Sequence, residues 1–298
     1  MWDLHRLRLL HELSLRGTVT EVARTLNYAP SSVSQQLAKL EDEVGVQLLQ
    51  PDGRRLRLTP HGELVARHAV EVLDLQESVR SRLASADPVA ETVRLATLET
   101  TGRALLPRAL TRLRERAPHL RLEASVVPPE TGLAELEARG FDLAVAEQYP
   151  GHSRSYRASL DREPLGTDLV RLAVAEGSAV RGMSDARDLA WVMEPEGTAA
   201  RQWVVQQCRA AGFEPDIRFD SADLEIHIHL VRAGHAVSIL PDLVWTGNRD
   251  GVRLIELPGP SHRELFTSVR LVSAAHPAIR QVRAALVDAF AVVAAGSW

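Results

Sequence analysis

TEVARTLNYAPSSVSQQLAKLEDEVGVQLL, residues 20–49, decides the fold. Val22, Ala23 and Leu26 recur at helical spacing, and Thr18 or Thr20 offers a hydroxyl to the first free amides. Asn27 enters the left-handed region at low cost and ends this helix. Pro30 suits the first turn of the next, where its missing N–H loses no partner. Val33, Leu37 and Leu40, at spacings of four and three, give that second helix a buried face. Its other face opens with Ser31, Ser32, Ser34, Gln35 and Gln36 and carries Lys39. Two short helices joined by a tight turn, with small Ala23 where they cross, form a helix-turn-helix pattern. In that motif the front end of the second helix enters the DNA major groove. Serine and glutamine there exchange hydrogen bonds with base edges and phosphates. The same residues would also suit the wet face of any small bundle, so the flanking sequence has to decide.

Upstream, Leu4, Leu7, Leu10 and Leu13 mark a helix over residues 3–15, ended by Gly17. Downstream, VGVQLLQPDGRRLRLTPHG reads as strand, turn, strand, with Pro51-Asp52-Gly53 as the turn. Arg54, Arg55 and Arg57 sit at and just after it. A basic hairpin beside a helix-turn-helix is a wing, placed to touch phosphates or the minor groove. From Thr59 to about Ala86 the chain reads as one long helix, with Pro60 in its first turn. Val65, Ala69, Val72, Leu75, Val79 and Leu83 form its apolar seam, which either a second copy or the chain's own core would cover. Ser85-Ala86-Asp87-Pro88 reads as a linker.

Bulk properties narrow the class without naming it. A length of 298 residues implies two or three domains. No apolar run is long enough for a membrane span, and the charged first residues lack the apolar core of a signal peptide. The single cysteine, Cys208, excludes an intramolecular disulfide and a multi-cysteine zinc site, so the expected compartment is cytoplasmic. Residues 1–62 hold eight bases and seven acids, so net charge does not flag a nucleic-acid binder. Among 35 basic residues only Lys39 is lysine, which reflects codon usage.

Residues 91–298 alternate strands and helices, which implies a mostly parallel sheet flanked by helices. ETVRLATL, LRLEASVV and FDLAVAE read as strands, separated by helices RALLPRALTRLRERAP and TGLAELEARG. The pattern restarts with DLVRLAVAE, AWVMEP, a helix over 198–211, DIRFDS, a helix over about 223–233 and AVSILP. A last strand, LFTSVRLVS, and a helix over 277–295 close the chain. Ligands on such sheets bind beyond the carboxyl ends of strands.

Residues 20–62 closely resemble the LysR-type transcriptional regulator family, and the order of the remaining elements fits it. Ala23 and Leu26 match its first motif helix; Ser32, Val33, Ser34 and Gln36 match its recognition helix. Leu40-Glu41 match the end of that helix, Gly45 and Leu48 the turn and strand after it, and Arg55, Leu58, Thr59 and Gly62 the wing exit. Three positions depart from the pattern. The frequent Ser-Gln-Pro start is Ala29-Pro30-Ser31, the usual phenylalanine and nearby arginine of the first wing strand are Leu49 and Pro51, and the small residue before the last glycine is His61. Losing that arginine removes a phosphate contact, which bears on affinity more than on fold.

The resemblance implies an N-terminal, mainly α winged helix-turn-helix over 1–60 and a linker and dimerisation helix over 61–88. It further implies an α/β effector-binding domain over 89–298, periplasmic-binding-protein-like, with two subdomains. Subdomain I would span about 89–160 and 267–298 and subdomain II about 161–266, with crossovers near 157–165 and 262–272. The implied function is sequence-specific transcriptional regulation controlled by a small molecule bound between the subdomains. Ser31, Ser32, Ser34, Gln35, Gln36, Lys39, Arg54, Arg55 and Arg57 would contact DNA. Thr100, Thr101, Pro128, Glu147, Gly197, Thr198, Ser221 and Ser238 would line the effector cleft. Implied partners are double-stranded promoter DNA, a small-molecule effector, a second copy of the chain, a tetramer of such dimers, and RNA polymerase.

Residue chemistry alone leaves the effector open. Thr100, Thr101 and Thr198 fall at helix starts, where free amides favour an anion, but the same threonines serve equally as caps. Glu99, Glu147, Glu194 and Glu196 lie nearby and would repel an anion, leaving room for a polar or cationic ligand. His227 and His229 point to different faces of one helix, so neither a metal nor another cofactor is expected. Cys208 reads as an inert buried thiol, and Trp191 and Trp203 as packing residues. No catalytic motif appears, so no catalytic residue is assigned. Two other readings remain: a regulator whose second domain ignores small molecules or binds protein, and an α/β enzyme tethered by the N-terminal module.

Overall fold

The computed structural model describes residues 1–52, 55–84, 91–151, 157–247 and 249–295. It divides into two units, Met1–Pro88 and Val89–Trp298. In the first, Asp3 opens α1 (Leu4–Arg16) by accepting hydrogen bonds from the amides of His5 and Arg6. Thr18 caps α2 (Val19–Leu26) at the amide of Glu21, and left-handed Asn27 closes it. α3 (Pro30–Val44) starts on Ala29 with no side-chain cap and ends at Gly45, φ 79°. The leucines of α1 meet Val22 and Ala23 of α2 and Val33, Leu37 and Leu40 of α3 in one core.

The wing follows as β1 (Leu49–Asp52) and β2 (Arg55–Leu58), antiparallel. The expected turn is narrower than its sequence suggests. Pro51 and Asp52 belong to β1, opposite Leu56 and Arg55, and Gly53 and Arg54 lie outside the described residues. The Glu41 carboxylate fastens the wing to α3 by accepting from the amides of Leu48 and Leu49 at 2.7 and 2.9 Å.

α4 (Pro60–Ala84) resolves its seam into two halves. Val65, Ala66 and Ala69 pack in the core of their own unit and Leu73 is buried, while Leu75, Val79 and Leu83 are exposed. Gly62, in its first turn, lies so close to the wing that a Cβ would come within 2.1 Å of the Leu48 carbonyl oxygen.

The second unit has two lobes. One holds β3 (Glu91–Thr97), α5 (Glu99–Ala104), α6 (Leu106–Arg116), β4 (Leu120–Val126), α7 (Pro129–Glu137), β5 (Leu143–Gln148) and α10 (Pro277–Ala295). The other holds β7 (Ala190–Met193), α8 (Ala199–Ala210), β8 (Asp216–Asp220), α9 (Leu224–Arg232), β9 (Ser238–Pro241) and β10 (Val252–Ile255). Two strands are shared: β6 (Leu160–Ala175) and β11 (His262–Arg270) pair antiparallel. The main sheet runs β10-β6-β11-β5-β3-β4, with β9 also on β6.

Three expectations need correction. The sheet is mixed: β3 pairs parallel with β4 and β5, but every pairing of β6 and β11 is antiparallel. The crossover and the following strand are one 16-residue element, β6. The expected helix over RALLPRALTRLRERAP is two helices meeting at Leu105, because Pro107 lacks the N–H that would bond back to Arg103. β10, absent from the sequence reading, pairs with β6. No helix among the described residues is long and apolar enough to cross a membrane.

Candidate nucleic-acid interface and effector cleft

On α3 the buried face of Val33, Leu37 and Leu40 turns Ser31, Ser32, Ser34, Gln35 and Lys39 outward, and all five are exposed. Gln36 is half-buried, and its Oε1 accepts from Arg6 Nε at 2.9 Å. Arg6 also pairs with Glu43 and so ties α1 to the middle and the C-terminal end of α3. With its carbonyl committed, Gln36 offers its amide as a donor, suited to base acceptors in the major groove. Arg57 on β2 is exposed, while Arg54 and the side chain of Arg55 lie outside the described residues.

In the second unit a buried guanidinium joins elements that the sequence keeps far apart. Arg263 stands directly across from Asp168 in the β6–β11 register. Its Nε and Nη2 donate to Asp168 Oδ2 at 2.9 and 2.7 Å, Nη1 to Glu147 Oε2 at 2.5 Å, and Nη2 to Thr100 Oγ1 at 2.8 Å. Asp168 Oδ1 accepts the amide of Leu243 at 3.1 Å. Burial opposes the Arg263 charge, but Asp168 and Glu147 overcome that penalty and raise its pKa. Burial, then the neighbouring Glu147, pushes the Tyr149 phenol well above its ordinary value.

Beside this knot lies a cavity lined by Tyr149, Glu194, Val204, Leu224, His227 and Ser238, among others. The cavity has a volume of about 20 Å³, enough for a single water. Tyr149 stacks on Trp203, ring centroids 5.2 Å apart. Glu194 is only partly accessible; burial, then the charge of Glu147, pushes its carboxyl pKa to about 8. Burial lowers the pKa of His227, which is therefore neutral, and its Nε2 donates to the carbonyl of Ser221 at 2.8 Å. Ser238 Oγ donates to the Val192 carbonyl at 3.0 Å, so the 3.4 Å contact from Oγ to His227 Nδ1 has no proton to share. Nδ1 is left as an acceptor, and the Ser238–His227 pair is not arranged as nucleophile and base.

The lobes also meet at a latch. Glu99 on α5 accepts the Leu224 amide of α9 at 3.1 Å, and Arg103 pairs with both Glu99 and Glu225.

Of the expected cleft residues, Ser238 lines the cavity, and Thr100 and Glu147 hold Arg263. Thr101 donates to the Leu98 carbonyl and Thr198 caps α8 at the Arg201 amide. Ser221 supplies the carbonyl that orients His227. Pro128 and Gly197 are exposed and not part of the cavity lining. Sequence reasoning misses Arg263, Asp168 and Tyr149. A period-2 signal could have found Arg263, which lies two residues from Leu265 on the same strand face.

A helix-turn-helix with a wing, followed by a two-lobed α/β unit with a lined cavity, defines a DNA-binding regulator with an effector domain. Comparison with known proteins agrees. Residues 4–63 match the bacterial regulatory helix-turn-helix protein, lysR family, and residues 86–291 match the LysR substrate binding domain. The chain belongs to the LysR family of DNA-binding transcriptional regulators. It is 28% identical over 284 residues to the transcriptional dual regulator GltC of Bacillus subtilis, covering 89% of this chain and 93% of that one. It is 27% identical over 252 residues to a probable hydrogen peroxide-inducible genes activator of Mycobacterium avium, covering 81% and 79%. A full-length OxyR variant from Pseudomonas aeruginosa shares the fold, with a TM-score of 0.67 at 21% identity over 97% of this chain and 94% of that one.

Proposed function

We propose that α3 reads base edges through Ser32, Ser34, Gln35 and Gln36, and that Arg54, Arg55 and Arg57 hold phosphates. The exposed Leu75, Val79 and Leu83 of α4 supply the surface on which two copies pair, so that two recognition helices address a near-palindromic site. A small molecule entering between the lobes displaces the latch and shifts the equilibrium between two arrangements of the second unit, by its differential affinity for them. The protein works in the cytoplasm as a regulator and not as an enzyme. The exposed polar front of α3, together with exposed Arg57 on the wing, carries this reading.

The relatives named for hydrogen peroxide raise a specific comparison. Here the one cysteine, Cys208, is buried in α8, and burial pushes its pKa to about 12. Peroxide reacts with thiolates, so this chain is not a thiol-based peroxide sensor.

Fluorescence anisotropy on the DNA upstream of the protein's own gene, against scrambled DNA across a salt series, tests the reading. Tight binding to the native sequence with a steep salt slope is expected. Equal, weak binding to native, neighbouring-promoter and scrambled DNA would overturn it.

A further inference from the structure

The short helix α5 joins the lobes through two contacts on different faces. On one face Thr100 and Ala104 are buried. Thr100 Oγ1 accepts from Arg263, and Ala104 belongs with Leu98 and Leu105 to the core of the first lobe. Leu243 enters that same core from the 3-10 turn Asp242–Trp245, while the next residues of the turn, Val244 and Trp245, belong to the core of the second lobe. Asp168, which holds Arg263, also accepts the Leu243 amide at 3.1 Å. This contact is apolar and fully buried, and it acts as a pin.

On the other face Glu99 and Arg103 stand one turn apart and reach α9. Asp223 caps α9 at the Glu225 amide and leaves the Leu224 amide to Glu99, whose Oε2 accepts it at 3.1 Å. The helix dipole favours a carboxylate at that end. Glu99 Oε1 accepts from Arg103 Nη2 at 2.8 Å, and Arg103 Nη1 pairs with Glu225. One cation thus sits between a carboxylate of each lobe. All three side chains keep 27–46% of their surface exposed, so salt and water reach this contact and not the pin. Parting α5 from α9 returns an amide and three charged groups to water, whereas drawing out Leu243 would expose apolar core. The α9 contact therefore gives first.

Hinged lobes commonly close around a ligand that bridges them. We propose that here the chain supplies its own bridge: Glu99 and Arg103 latch the lobes shut, the Leu243 contact is the pivot, and regulation acts by releasing the latch. The closing step stands on these contacts alone, and the regulatory step rests on the DNA-binding reading above.

The test reads distances between nitroxide labels by pulsed electron-spin resonance in the full chain carrying Ala134→Cys on α7 and Gln206→Cys on α8, one exposed position in each lobe. Native Cys208 is buried, so the labels go to the added cysteines. Dilution with unlabelled chain restricts the reading to distances within one copy. A single narrow distance is expected for the parent, and a longer, broader distribution for Arg103→Glu and in high salt. Glu99→Ala, which leaves the Arg103–Glu225 pair, should shift it less and serves if Arg103→Glu does not fold. Adding Glu225→Arg to Arg103→Glu puts one cation of α9 opposite two carboxylates of α5 and should restore the narrow distance. A broad distribution in the parent, or one unchanged in Arg103→Glu and Glu99→Ala, would overturn the latch. Anisotropy on the upstream DNA should show about a fivefold or larger change in affinity in Arg103→Glu, reversed by Glu225→Arg. Opening with no change in affinity would overturn the regulatory step. Failure of the parent itself to prefer that DNA over scrambled sequence would overturn the regulator reading, and the regulatory step with it, while the distances still decide the latch.

Discussion

The recognition face and the cleft solve opposite problems. On α3 the working side chains face water, and a buried stripe of Val33, Leu37 and Leu40 aims them. In the cleft the working groups are themselves buried, so each needs a partner, and Arg263 takes partners from three elements. A surface face can change one residue without disturbing the fold. A buried charge knot cannot, because removing one partner strands the others.

Substitution of the knot should break this contrast most visibly. Arg263→Met leaves Asp168 and Glu147 buried without their cation and should cost about 3–5 kcal/mol in urea denaturation of the second unit. A loss under about 1 kcal/mol would show that water already compensates them. Gly62→Ala comes next: its Cβ would overlap the Leu48 carbonyl, and prising wing from helix should cost roughly 1–3 kcal/mol in melting of the first unit. Gln36→Ala should leave the fold intact and cost about 1–3 kcal/mol on cognate DNA but not on random DNA. Arg6→Ala, which frees the Gln36 carbonyl, should weaken the same preference less.

pH sharpens the contrast further. The raised Glu194 pKa stabilises the folded state below about 4.5, and that contribution is lost as pH rises through about 8. The stability difference between parent and Glu194→Gln, followed by urea midpoint, should therefore move against the parent across that window. A constant difference would place Glu194 in water. The smallest effect belongs to Arg57→Ala, which should weaken all DNA alike and lower the salt slope by about 1.

Local chemistry explains what is legible in the sequence. Asn27, Pro30 and Gly45 set helix ends by rules that act within a few residues, and they place α2 and α3 within a turn. The Glu41 clamp on the wing and the tight seat of Gly62 are visible as family positions, though their physical reason needs coordinates. The cleft is less legible because its bonds are long-range. Arg263 meets Thr100 and Asp168 only after β6 and β11 find their register, and Glu147 only through β5. Threonines at helix starts look like ligand contacts, yet Thr101 and Thr198 bond to their own turns. The α4 seam reads as one surface because spacing alone cannot tell which half its own core covers.

The ladder between β6 and β11 skips a residue, with Leu265 opposite Gly166 and Phe266 opposite Pro164. Both strands run through the two lobes, so any rotation of one lobe must be absorbed along them. It is absorbed most cheaply where a rung is already missing and Pro164 has no N–H to give. Phe290 of α10 presses on this point, where a Cβ on Gly166 would come within 2.1 Å of its ring. The last helix thus braces the point where such a rotation would be absorbed, and shaving the Phe290 ring should loosen it.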